Sequence, residues 1–266
     1  MSQSEGTPPQ SPVQPQQLDQ DSLIRFRCHP GVACFNACCE QIDITLTPYD
    51  LLRLRRRLGL TSQQLLAAYT VPFELDSDGL PGVKLRTGDE TPRCLFLTDE
   101  GCGIYADRPT ACRYYPAALL SLRQAGAAQD QQHYALVREA HCLGHQEPRR
   151  ITLADYRKEQ ELEQYDALAR GWRQLILKKK STGPKLGKPG ARSLQLFFLA
   201  SYNLDGFRDF VCSDGFRNAH DLDAATWDAL RDDDEALLEF GYRLLRQVLF
   251  GELTIPLRGR PAPGAD

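Results

Sequence analysis

The sequence predicts an α+β chain in two parts, an irregular cysteine-rich region of short helices and strands packed on a mainly helical C-terminal part. Three observations carry that expectation. Eight of the nine cysteines fall within residues 28–142, and four of them, Cys28, Cys34, Cys38 and Cys39, crowd into twelve residues. Apolar runs in that stretch are short, alternate over a few residues and are broken by Gly and Pro, as in residues 42–46. From Thr152 onward the apolar residues recur at helical spacing instead.

Composition narrows the class of protein. The chain has 266 residues, 42% hydrophobic and 25% charged, enough for one sizeable core or two small ones. A formal charge of -3 gives no bulk attraction to nucleic acid. The basic runs at 53–57 and 178–188 read as a solvated helix face and a linker. No apolar run has the length of a membrane span, and the first ten residues lack the pattern of a secretory signal. A cytoplasmic location is therefore expected. In that reducing compartment nine cysteines favour metal binding or redox chemistry over structural disulfides.

Taken in order, residues 1–20 are rich in Gln, Pro and Ser and predict a disordered tail, with order beginning near Leu23. Residues 21–150 form the cysteine-bearing region. Within it, Thr47-Pro48-Tyr49-Asp50 is a helix entry, with Thr47 as cap, Pro48 in the first turn and Asp50 at N3 of a capping box. That helix should end at Gly59. A second short helix should start at Thr61 and stop near Pro72, with a short strand at 83–85. Residues 94–97 read as a strand, 108–116 as one helical turn, and 133–137 as a strand. Residues 151–255 form the mainly helical part. It comprises one long helix from Thr152 to about Lys178, a flexible connector at 178–190, and further helices near 203–211, 222–230 and 235–250. Residues 256–266 are a tail.

Thiolate is a soft ligand suited to zinc and to iron-sulfur clusters. Cys28, Cys34, Cys38, Cys39, Cys94, Cys102, Cys112 and Cys142 are the candidate metal ligands, which makes the first part metal-centred; Cys212 stands apart. Eight thiols suffice for two four-ligand sites, or for one site with thiols to spare. The side chains of the adjacent pair Cys38-Cys39 tend to diverge, so the pair serves two nearby centres or only one of them is a ligand. Cys34 and Cys38 share a face if that segment is helical. Neither cysteine group has the Cys-x2-Cys pairs of a zinc ribbon or the run of a bacterial ferredoxin, so spacing leaves zinc and iron open.

The motifs Cys34-Phe-Asn-Ala-Cys38-Cys39 and Cys102-Gly103-Ile104-Tyr105-x2-Arg108-Pro109-x2-Cys112-Arg113-x-Tyr115-Pro116, with Cys94 before them and Cys142 after, resemble the YkgJ-like cysteine-cluster family of zinc- or iron-chelating proteins. The resemblance covers about residues 26–146. It implies bound zinc or an iron-sulfur cluster and no particular reaction. Cys28 lies farther upstream of Cys34 than the opening group usual in the family.

Arg108, Arg113 and Tyr105 are the candidate cofactor-binding residues. The arginines can offset thiolate charge, Arg113 can hold a carboxylate, and Tyr105, like Tyr114 and Tyr115, can shield a metal; ordinary ion pairing and core packing are the plainer roles. His29, His141 and His145 lie beside cysteines and are lesser ligand candidates. The chain lacks a nucleophile elbow, a phosphate loop and a dinucleotide fingerprint. The expectation is an iron-sulfur protein with an electron-transfer or oxidoreductase role and a redox or protein-substrate partner. The alternatives are a structural zinc protein, a metal-dependent enzyme, and a protein of metal storage or delivery.

Overall fold

The computed structural model describes residues 13–122, 131–182 and 187–259. Two short strands open it, β1 (Val13–Leu18) and β2 (Leu23–Arg25). Order thus begins ten residues earlier than composition suggested. The mostly polar strand β1 is held by backbone pairing to a distant strand, with the buried Leu18 opposite Tyr134. Residues 1–12 of the expected tail lie outside the described residues.

Local chemistry accounts for the next elements. Helix α1 (Pro48–Leu58) starts at a complete Thr47/Asp50 capping box and ends at Gly59, whose φ of 64° suits a residue without a side chain. Helix α2 (Ser62–Tyr69) starts at a second box, Thr61 with Gln64. Strands β3 (Thr70–Glu74) and β4 (Pro81–Leu85) form a hairpin. Pro72 follows the end of α2 at Tyr69 by three residues, as expected, and lies in β3; a two-stranded ladder has open edges that tolerate its missing N–H. The strand expected at 94–97 shrinks to the two-residue pair β5 (Leu97–Thr98) and β6 (Gly101–Cys102). Helix α3 (Thr110–Tyr114) is the expected single turn. Strands β7 (Ala117–Leu122) and β8 (Gln131–Val137) complete an antiparallel sheet in the order β1-β8-β7, and β9 (Arg150–Thr152) pairs with β2.

The long helix expected from Thr152 is two helices, α4 (Leu153–Glu159) and α5 (Leu162–Thr182). They meet at Glu161, whose φ of 54° breaks the helical path. Helix α5 takes in residues 178–182 of the expected connector, and residues 183–186 of it lie outside the described residues. Helices α6 (Ala191–Tyr202), α7 (Leu204–Cys212), α8 (Asp214–Ala219), α9 (Ala224–Asp232) and α10 (Asp234–Phe250) complete the chain of helices. Of the expected C-terminal tail, 256–259 is described, and Leu257 bridges to His220.

Two cores result. The larger gathers Tyr49 and Leu54 of α1, Trp172 and Leu175 of α5, Phe197 of α6, Phe207 of α7 and Leu245 of α10. The smaller joins Ile24, Phe26, Tyr114, Tyr134, Leu153, Tyr156 and Leu162. Helix α5 enters both, with Leu162 in the small core and Tyr165 in the large one. The molecule is therefore a mixed α+β region of small antiparallel sheets and short helices packed against a mostly helical part. Among the described residues no helix is long and apolar enough to cross a membrane.

Candidate functional site

Three of the clustered cysteines pack against the cores. Cys94 and Cys102 pack against the larger core and Cys142 against the smaller. Cys38 and Cys39 occupy a one-turn helix, Ala37–Cys39, entered through Asn36 with φ 72°. The Cys39 carbonyl accepts from the Cys94 amide at 2.8 Å, which ties the first cysteine group to the second. The Cys34 sulfur accepts from the Leu143 amide at 3.1 Å, which ties it to the last.

Electrostatics reveals which thiols are neighbours. Burial pushes Cys28 up to about 11, and Cys38, Cys34 and Cys142 add to the rise. Burial likewise raises Cys112 to about 12, assisted by Cys94, Asp50, Cys102 and Cys38. Cys28 and Cys112 are nonetheless exposed residues. Cys94 is raised by burial and then by Cys102 and Cys38; Cys142 is raised by burial, with Cys34 adding. The Cys38 and Cys39 sulfurs stand 3.9 Å apart, and their shared hydrogen bond lowers Cys38 while raising Cys39. Two subsets emerge: Cys28, Cys34 and Cys142 in one, and Cys39, Cys94, Cys102 and Cys112 in the other, with Cys38 felt by both. Cys212 lies on α7, packed on the larger core.

An all-thiol donor set of this kind fits zinc or an iron-sulfur cluster chemically. The gathering is a neighbourhood and not a finished coordination shell: among the described residues no three His, Cys, Asp or Glu side chains form a group that could hold a metal ion.

The other sequence candidates separate. Arg108 is buried, lies 3.9 Å over the exposed Tyr105 ring, and bears on both subsets: burial raises Cys28 and Cys102, and Arg108 opposes part of that rise. Arg113 is 1% exposed, and its five N–H groups are all engaged by the protein. Its Nε donates to the Arg108 carbonyl at 3.0 Å. One Nη reaches the Gln160 carbonyl at 2.8 Å and the Glu161 carboxylate at 3.2 Å. The other reaches the Ala106 carbonyl and the Tyr165 hydroxyl. No donor remains for a carboxylate substrate. Both ring nitrogens of His29 are occupied, by Glu147 and by the Gly31 amide. His141 is exposed, 3.6 Å from Glu139. Burial lowers His145, whose ring lies beside Phe26 and Tyr115.

Sequence reasoning missed Glu139, whose charge raises Cys38, and Asp50 in a second role. The Asp50 carboxylate accepts from the Thr110 amide at 2.8 Å and from its hydroxyl at 2.7 Å. The signal available for Asp50 was its place in the capping box; nothing local pointed to Thr110.

The family model described as CxxCxxCC, putative zinc- or iron-chelating domain, matches residues 27–143. The resemblance read from the cysteine motifs is thereby shown for that segment. No curated protein and no solved structure matches the chain.

Proposed function

We propose that this chain is a metal-thiolate protein whose ligands come from Cys28, Cys34, Cys38, Cys39, Cys94, Cys102, Cys112 and Cys142, with iron-sulfur the favoured occupant. What supports the reading is the crowding of eight of the nine cysteines into residues 28–142, where the Cys94 amide bonds the Cys39 carbonyl and the Leu143 amide bonds the Cys34 sulfur. Their division into two subsets sharing Cys38 fits two adjacent centres. Arg108 holds positive charge against both subsets and favours thiolates over thiols. When bound, an iron-sulfur cluster supplies one-electron exchange. Exposure of Cys28, Cys38 and Cys112 supports a use that needs contact with a protein partner, such as electron transfer or an oxidoreductase step.

A structural zinc role is favoured by a different observation. Across residues 27–45 only Val32 is buried, so this segment gains little from apolar burial and depends on cross-links through its thiols.

The deciding measurement is metal and acid-labile sulfide content of the full chain, purified without oxygen and without a metal-binding tag. Iron with matching sulfide is expected. Zinc without sulfide moves the reading to the structural role. Neither metal, with Cys38→Ser indistinguishable from the parent, overturns both.

A further inference from the structure

We infer that Asp50 and Arg113 are positioning residues for Cys112, clamping the turn that carries it to the helical scaffold from both ends; this rests on the reading of Cys112 as a metal ligand. Helix α3 is one turn long and exposes Cys112. A turn that short does not hold itself in water. Its entry residue, Pro109, offers no side-chain cap. The cap comes from another helix sixty residues away: Asp50, fully buried on α1, receives both the amide and the hydroxyl of Thr110. The same carboxylate also receives the Thr47 amide at 2.8 Å, so one side chain caps two helices.

The other end is held by Arg113. Its donors join the carbonyls of Ala106 and Arg108, just before α3, to Gln160, Glu161 and Tyr165, around the break between α4 and α5. The break has a reason in this contact, since the Gln160 carbonyl, freed where the helix ends, is one of the acceptors. Arg53, one helical turn from Asp50, adds a third tie to Asp107 at 2.6 Å. Asp50, Arg53 and Tyr165 belong to helices of the larger core, and none of the anchors named is a thiol. The position of this ligand is therefore set before any metal arrives, in contrast to Cys34, Cys38 and Cys39.

The test uses the anaerobically purified full chain and tracks three quantities: metal content, the rate of iron and zinc release to excess chelator, and the near-ultraviolet and visible absorption. Thr110→Val removes one hydrogen bond to Asp50 and keeps the amide. It is expected to speed metal release about tenfold and to alter the absorption, with Thr110→Ser restoring both. Arg113→Lys, which keeps charge but not the five-donor fork, is expected to do the same or more. Thr61→Val serves as the control. It weakens the cap of α2, which Thr61 forms with Gln64, without touching Asp50 or Thr110, and should lower the melting temperature while leaving release and absorption at parental values. If Thr110→Val and Arg113→Lys only lower the melting temperature as Thr61→Val does, the inference is overturned and the metal reading stands. A parent chain that takes up neither iron nor zinc overturns the metal reading, and the inference with it.

Discussion

Residues 27–45 and helix α10 are of similar length, yet the first buries one side chain, Val32, and the second buries seven residues, among them Leu237, Phe240 and Leu245. The contrast separates two ways of fixing a chain. In α10, each large apolar side chain taken from water contributes about 1.5–3 kcal/mol, enough in sum to offset ordering entropy. In residues 27–45 there is too little burial for that, and four of the residues are cysteines. One region is held by area; the other, on the proposed metal reading, is held by its thiol donors.

Breaking the area side should have the largest effect. Phe207→Ala empties a fully buried site in the larger core and should cost about 3–5 kcal/mol, read as a lower denaturant midpoint. The metal bound per folded chain should not change; parallel loss of both would mean that the two regions are not held separately. Breaking the donor side is the converse experiment. Removal of metal by chelator should raise hydrogen exchange in residues 27–45 while the amides of α5 and α10 stay protected. Uniform deprotection along the chain would erase the distinction.

A smaller effect should appear on acidification. Asp234 sits among Arg55, Arg56 and Arg208 at the junction of α1, α7 and α10. Burial alone would raise its pKa, but the three guanidinium groups outweigh it and hold the carboxyl below its ordinary value. The stability from this lowered pKa is present above the unfolded value near 3.8 and is lost as pH falls through the folded one. Asp234→Asn should therefore lower stability at neutral pH and flatten the acid limb of a stability-pH profile; an unchanged limb would place the acid sensitivity elsewhere. The smallest effect belongs to Cys212→Ala. That residue is partly buried against the larger core, outside the thiol neighbourhood. Metal content should be unaltered and the melting temperature should shift only slightly. Loss of a centre would join Cys212 to the ligand set.

Much of the fold was legible where its cause is local. The Thr47/Asp50 box, Pro48 and Gly59 bound the eleven residues of α1, and both ends fall where the residue chemistry put them. The cysteine-cluster family of residues 27–143 was likewise readable, because motif and crowding need no tertiary information. Strand β1 was not readable, since a polar strand is defined by its partner β8 more than a hundred residues away. The split between α4 and α5 escaped for the same reason: periodicity runs through it, and what turns the chain is the remote Arg113 guanidinium taking the Gln160 carbonyl.

The sequence by itself determined the kinds of groups this protein has to work with: soft sulfur donors in one half, helix-forming apolar stripes in the other, and the caps that start and stop the helices. Only the tertiary structure decided which groups meet. It gave Asp50 a second helix to cap, filled every donor of Arg113 with protein acceptors, and placed Arg108 against both thiol subsets. The physical reason is range. Propensity, capping and ligand chemistry act within a few residues, whereas the partner of a buried carboxylate or guanidinium is set by which distant segment the cores bring alongside it.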